Sequence, residues 1–473
     1  MEPRFLRCQQ PRISRLHQLF LSELTCLKIM SSASRSNESG SAQNTINKRL
    51  RKHTRSHSGE KLIDNEQYYH GLLPRADVRM LLKENGDFVV RITEPKLGEQ
   101  RSYVLSVLTD KLLDENSSIK HLVIHTASGK FWIENKFSFE SPQALITYYL
   151  TSQAQNDPTS IVHLVRPISR QSWELEHDWI TIKQKLGQGA FGEVSMGIYK
   201  RKGMMKGIQV AVKQAKLEKM GKEQIKEFMC EARHLKTMSH PNIVKFYGVA
   251  VLQEPLYMVM ELASNGALDS YLKKNTNLSI ETRNEMILQA AWGLEYLHSR
   301  PVLHRDIAAR NCLYGDGKVK ISDFGLTRAG SFYQMDMTKK VPIRWLALET
   351  LLNGSYTLKS DIWAYGIMCW EIYYSCASDP YPGMTAVEVH QKVREGYRMQ
   401  IPENAHPEIQ KIIQSCWLEN QADRPSMADI AVQLQRVTLI ARPNFEQQGK
   451  EILNNLRVPR GRNMSNEAPK TAT

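Results

Sequence analysis

Two kinds of hydrophobic spacing alternate along this chain. From Pro74 to Leu82 apolar residues recur at helical spacing, and Gly86-Asp87 then turns into the apolar run Phe88-Val89-Val90, closed by Arg91. Strand patterns follow at Ser102 to Leu108 and Ile119 to His125, then a second helical run from Gln143 to Leu150. Further on, the strand-like stretch Ile180 to Leu186 precedes Val210-Ala211-Val212-Lys213, an apolar strand ending in a cation, and an amphipathic helix is predicted from Ile225 to Met238. Leu16, Leu19, Phe20, Leu24 and Leu27 also recur at helical spacing, as an interfacial or partner-docking helix would. Gln18 and Glu23 interrupt that run, so it does not read as a signal peptide, and no stretch is long enough to span a bilayer.

At 473 residues the chain exceeds what one core usually organises, which fits the two groups of elements. Its 63 basic and 49 acidic residues give a net charge of +14, unevenly placed. Residues 1–60 hold 11 Lys or Arg and 4 Asp or Glu, a net of +7 on a short arm expected to be largely disordered from Ser31 to Gly59. The arm could engage an anionic membrane surface, although a solvated basic tail is the commoner case. His53-Thr54-Arg55-Ser56-His57 looks like the closing half of a zinc finger, but no cysteine pair stands upstream, so neither metal nor nucleic acid is expected there. Seven cysteines without paired spacing read as reduced thiols and point to the cytosol, and Glu2 excludes N-myristoylation.

The chemistry sits in His304-Arg305-Asp306-Ile307-Ala308-Ala309-Arg310-Asn311, followed by Asp323-Phe324-Gly325. A carboxylate followed five residues later by an amide, and then by a second carboxylate, supplies an orienting base and two hard oxygen ligands at phosphoryl-transfer spacing. Taken alone, each triplet is a weak signal. Upstream, Gly187-Gln188-Gly189-Ala190-Phe191-Gly192-Glu193-Val194 could be a dinucleotide fingerprint or a plain turn, but a strand ending in Lys213 follows it, which favours a flap over phosphates. Lys213 would reach the phosphates, held by Glu231 of the amphipathic helix.

In this order the segments resemble a protein kinase over Ile180 to about Ile440. Ala308-Ala309-Arg310 and Pro342-Ile343-Arg344-Trp345 resemble the tyrosine-specific branch. The resemblance implies Asp306, Arg310, Lys213 and Glu231 as catalytic residues, with Asn311 and Asp323 holding Mg²⁺ or Mn²⁺. ATP would be bound by Leu186, Gly187, Gly189, Phe191, Gly192, Val194, Ala211, Lys213, Glu261 and Ala263. One departure is Ala347-Leu348-Glu349, where the family has Ala-Pro-Glu; Glu349 would still pair with Arg424.

The elements from about Tyr68 to Ile168 resemble an SH2 domain, a central antiparallel sheet flanked by two helices that binds tyrosine-phosphorylated proteins. Arg91 would grip the phosphate through two parallel hydrogen bonds, with Arg75, Thr93 and His121 completing the pocket. Tyr68 stands where the family has Trp, and Ile92 where it has Glu. The two modules, joined through Trp173-Glu174-Leu175-Glu176-His177-Asp178, resemble the Fps/Fes/Fer tyrosine kinases. That implies an α+β multidomain chain: an arm over 1–67, an SH2 domain over 68–168, a linker over 169–179, a bilobal kinase domain over 180–440 and a tail over 441–473. It also implies a cytoplasmic enzyme acting on protein tyrosine, with a dual-specificity kinase or a silent phosphotyrosine adaptor as rivals; a peripheral place at membranes would come from the basic arm and not from the resemblance. Tyr333, in the activation segment near Arg305 and Arg328, is the expected autophosphorylation site. Residues 441–473 hold no tyrosine, so the tail is not expected to clamp its own SH2 domain.

Overall fold

A computed structural model describes residues 63–94, 99–114, 117–151, 160, 162–189, 192–216 and 221–445. The basic arm, its apolar repeat and His53–Lys61 lie outside the described residues, as do Ala190, Phe191 and the tail from 446.

The first module is a four-stranded sheet in the order β3-β2-β1-β6. It is made of β1 (Asp87–Thr93), β2 (Ser102–Leu108), β3 (Ile119–Val123) and the short β6 (Arg166–Pro167). Strands β1 and β2 run antiparallel with Arg91 opposite Val104. Because side chains alternate across a strand, Phe88 and Val90 enter one core with Leu145, Ile146 and Tyr149 of helix α2 (Pro142–Tyr149), while Val89 joins Val78 of helix α1 (Arg75–Leu81). Arg91 therefore emerges on the α1 face. The single strand expected over Ile119 to His125 is broken. Ile124 is buried and donates its amide to Tyr103, and the chain then leaves the sheet to form a separate ribbon of β4 (His125–Ala127) and β5 (Lys130–Trp132).

The second module begins with a five-stranded antiparallel sheet in the order β10-β11-β9-β8-β7. Its strands are β7 (Ile180–Gly189), β8 (Gly192–Tyr199), β9 (Ile208–Ala215), β10 (Phe246–Ala250) and β11 (Leu256–Glu261). Val210 and Val212 are buried on one face, so Ala211 and Lys213 look to the other, toward helix α3 (Lys222–Lys236). The rest is mainly helical: α4 (Leu268–Lys274), α5 (Ile280–His298), α6 (Leu348–Asn353), α7 (Leu358–Tyr373), α8 (Ala386–Arg394), α9 (Pro407–Cys416) and α10 (Met427–Thr438). Helix α7 is buried along nearly its whole length and is the post around which the others pack. Small ribbons complete the module: β12 (Val302–Leu303) with β15 (Arg328–Ala329), β13 (Cys312–Gly315) with β14 (Lys318–Ile321), and β16 (Phe332–Gln334) with β17 (Ser355–Thr357).

The modules touch directly. Glu174 in the connecting segment bridges to Val249 on the free edge of β10, and its carboxylate meets the buried His70 ring at 2.8 Å. Leu72 donates its amide to the Val251 carbonyl at 3.0 Å. Gly71, with φ +57°, is needed there, because a Cβ would lie 2.2 Å from that same oxygen. Arg233 of α3 pairs with Asp77 of α1 at 2.6 Å. Among the described residues no helix is long and apolar enough to cross a membrane.

Candidate active site

Strand pairing assembles the upper wall of the site. Val194 lies opposite Lys213, and Ala211 is two residues before it, so all three share the face of the sheet away from its own core. Lys213 Nζ donates to both oxygens of Glu231, at 2.7 and 2.9 Å, and both side chains are buried. Burial drives the Glu231 carboxyl up from its ordinary value, and the Lys213 ammonium opposes that. The hairpin β7–β8 lies beside β9 in the same sheet, and Gly187 pairs with Val194 just past a shift in register. Gly192, with φ +154°, passes so close to the Gln214 carbonyl that a Cβ would meet it at 2.4 Å. Leu186 at the mouth is half exposed. The Glu261 side chain is turned away, bonded to Lys320 at 2.7 Å within a cavity that includes His240, Trp292 and Phe445. Ala263 accepts a hydrogen bond from the amide of Gly266.

The lower wall is a loop held in a strained form. Arg305 has φ +72° and Asp323 φ +58°, conformations that need outside support. For Arg305 that support is Asp361 at the start of α7, which accepts from the His304 and Arg305 amides at 2.9 Å each and from the Tyr356 hydroxyl at 2.7 Å. Burial alone would raise the Asp361 carboxyl. Its hydrogen bond and attraction to His298, helped by His304 and the Arg305 amide, hold it below its ordinary value. His304 packs edge-on against buried Phe324 and reaches the Ser322 carbonyl, tying the two motif segments together.

Asp306 and Asn311 are placed by the same loop. Asn311 donates its side-chain amide to the Asp306 carbonyl at 2.8 Å, leaving its Oδ1 for another partner, and its own carbonyl accepts from both the amide and hydroxyl of Ser322. Since Cys312 pairs with Ile321, the ribbon β13–β14 delivers Asn311 and Asp323 at its two open ends. One amide oxygen and one carboxylate are hard donors that suit Mg²⁺. An ion held by these two oxygens would take its remaining donors from water or a bound phosphate group. Arg310 bonds to Asp306, and its guanidinium lies 4.1 Å from the Trp345 ring centroid.

In the first module Arg91 is 2% exposed and donates through Nε to Ser106 at 3.2 Å. Burial, reinforced by nearby Arg75, brings its pKa down to about 10, so it stays charged at neutral pH. His121 on β3 shares Ser106, 2.9 Å from its Nδ1, and burial with the Arg91 charge drives it down to about 3, which keeps the ring neutral. Arg75, Arg91, Thr93 and His121 line one cavity of about 620 Å³.

Residues 180–434 match the protein tyrosine and serine/threonine kinase family, and residues 68–149 match the SH2 domain. Tyrosine-protein kinase Fer of Homo sapiens is 38% identical over 380 residues, covering 79% of this chain and 44% of the relative. Fer-related kinase 1 of Caenorhabditis elegans is 37% identical over 371 residues, 78% of this chain and 93% of the relative. The chain belongs to the Fer/Fps tyrosine kinases. It spans less than half the length of the human relative and most of the nematode one. A transforming protein Fps of avian sarcoma virus is a third such relative, 34% identical over 376 residues.

Several contacts in this Fer/Fps kinase were not anticipated from its motifs. Ser106, bridging Arg91 and His121, interrupts an apolar strand, and Glu371 is the lone charge in the otherwise uncharged run Ile362–Tyr374; both patterns are visible in the sequence. Glu371 accepts from the Ala309 amide at 2.9 Å and from Trp345 Nε1 at 3.1 Å. The missing proline beside Glu349 leaves its ion pair intact, since Arg424 meets the carboxylate through two bonds of 2.7 and 2.9 Å. Five cysteines among the described residues are free, four of them buried.

Proposed function

We propose that this chain transfers the γ-phosphoryl group of ATP to tyrosine hydroxyls of proteins, and that its SH2 domain brings it to tyrosine-phosphorylated partners. The observation that carries the reading is Arg310, bonded to Asp306 and stacked on Trp345, which joins the base to the segment that would carry the substrate ring. Asp306 orients the hydroxyl and accepts its proton late, because a phenol with a pKa near 10 does not give up its proton to a carboxylate before bonding to phosphorus begins. Lys213, fixed by Glu231, positions the α and β phosphates, and Leu186, Gly187, Gly189, Phe191, Gly192, Val194, Ala211 and Ala263 enclose the nucleotide. Glu261 contributes its main chain, since its side chain is held by Lys320. Asn311 and Asp323 hold Mg²⁺, or Mn²⁺, which when bound neutralises charge on the phosphates. Arg91 and Arg75 grip a phosphotyrosine, with Thr93 and His121 beside them. The enzyme is proposed to act in the cytoplasm, with the basic arm as its contact to anionic membranes.

The test is incubation with ATP, Mg²⁺ and three peptides that differ only in carrying one tyrosine, one serine or one threonine. Phosphate on the tyrosine peptide alone supports the reading. Phosphate on serine or threonine at comparable rates, or on none, overturns it.

A further inference from the structure

The cavity that holds Arg91 is not built from the SH2 domain alone. Its wall is completed by Lys222, Ile225, Lys226 and Arg233 of kinase helix α3. These positions share one face of the helix at 3.6-residue spacing, and the Arg233–Asp77 ion pair fixes that face against α1. Among the described residues the lining carries Arg75, Arg91, Arg101, Lys222, Lys226 and Arg233 against a single acid, Glu94.

Two of these cations are already engaged by carboxylates at the domain boundary, Arg233 by Asp77 at 2.6 Å and Arg101 by Glu254 at 2.8 Å. Among the described residues Lys226 pairs only with its exposed helical neighbour Glu223, a weak partner, and no carboxylate pairs with Lys222. Arg91 lies recessed at the base, where a phosphate on an aryl stem can reach it and a flat anionic surface cannot. The lysines come from a different element at the wall, where residues flanking that phosphotyrosine would pass.

We propose that kinase helix α3 is part of the phosphopeptide receptor, with Lys222 and Lys226 selecting phosphotyrosine peptides that carry acidic residues beside the phosphotyrosine. The inference rests on the phosphotyrosine reading of the Arg91 pocket. It gives the SH2 domain a specificity determinant that lies outside its own sequence.

The full chain, without nucleotide, would be titrated by calorimetry with two phosphotyrosine peptides, one flanked by Glu and Asp and one by Gln and Asn. The wild type should prefer the acidic peptide. The double variant Lys222→Glu/Lys226→Glu should lose about tenfold in affinity for it while binding the neutral peptide nearly as before, with Lys222→Gln/Lys226→Gln between the two. The difference should shrink at high salt, since Lys226 is exposed and Lys222 partly so. Equal binding of the acidic peptide by wild type and charge-reversed chain, with Arg91→Ala still abolishing binding, overturns the inference and leaves the pocket reading standing. Undiminished binding by Arg91→Ala overturns the pocket reading itself.

Discussion

The guanidinium of Arg305 lies over the ring of Tyr333, 3.8 Å from its centroid, and Arg328 approaches the same ring at 5.7 Å. Both cations are therefore gathered around the unmodified tyrosine, Arg305 held also by the Leu326 carbonyl and Arg328 by that of Thr327. Phosphorylation would add nearly two negative charges and acceptor oxygens beside cations already in place. We expect Tyr333 to be autophosphorylated with a rise in activity. Tyr333→Phe keeps the ring and the stacking, so its unstimulated activity should match the unmodified wild type while the rise is lost. Peptide mass spectrometry alongside a rate assay checks this, and a fully active enzyme with Tyr333 unmodified would contradict it.

Glu371 gives a prediction in pH. Burial pushes its carboxyl from 4.5 up to about 7, against the pull of the Ala309 amide and Trp345. A folded pKa above the unfolded one means that the fold keeps a proton the unfolded chain has released. The stability it contributes is fully present below about pH 4.5 and is lost as pH rises through about 7, by at most ~3 kcal/mol. Glu371→Gln removes the ionisation and should flatten the wild-type loss of stability between pH 5 and 8. Denaturant midpoints of both proteins across that range would show it; parallel slopes would not fit.

Arg424 is 1% exposed, and besides Glu349 it donates to the carbonyls of Leu418 and Lys359. Replacing it with Met removes the partner of a carboxylate that is itself mostly buried, and the expected cost is about 3–5 kcal/mol. Thermal unfolding should fall by many degrees for Arg424→Met and for Glu349→Gln alike, and the double variant should cost less than the sum of the two. Strict additivity would show that the pair does not act as a unit.

How far such contacts could be read from sequence depends on how local their cause is. Helix α3 was expected from Ile225 to Met238 and runs Lys222–Lys236; its polar first turn carries no apolar period, yet Gln224 caps the Gly221 amide and starts the helix earlier. The glycine-rich hairpin, the pairing of Lys213 with Glu231 and the loop from His304 to Asn311 could be located because the resemblance sets both residue type and order along the chain. The end of β3 could not, since Ile124 keeps both the strand pattern and its place in the core facing α2 and still bonds to Tyr103, while His125 turns away to pair with Trp132 with no local signal in the spacing. The lone charge at Glu371 is visible in its run, but the groups that it and Asp361 bond in pinning the loop, and the meeting of Lys222 with the Arg91 cavity, depend on elements brought together across the fold.

The central claim is that Asp306 serves a phosphoryl transfer for which the rest of the site binds and orients. Its most direct test compares wild type with Asp306→Asn in single-turnover transfer from ATP to a tyrosine peptide, with nucleotide affinity measured on the same samples. The account predicts that transfer falls by about 10² to 10⁴ while nucleotide affinity changes little. Transfer at the wild-type rate by Asp306→Asn would contradict it.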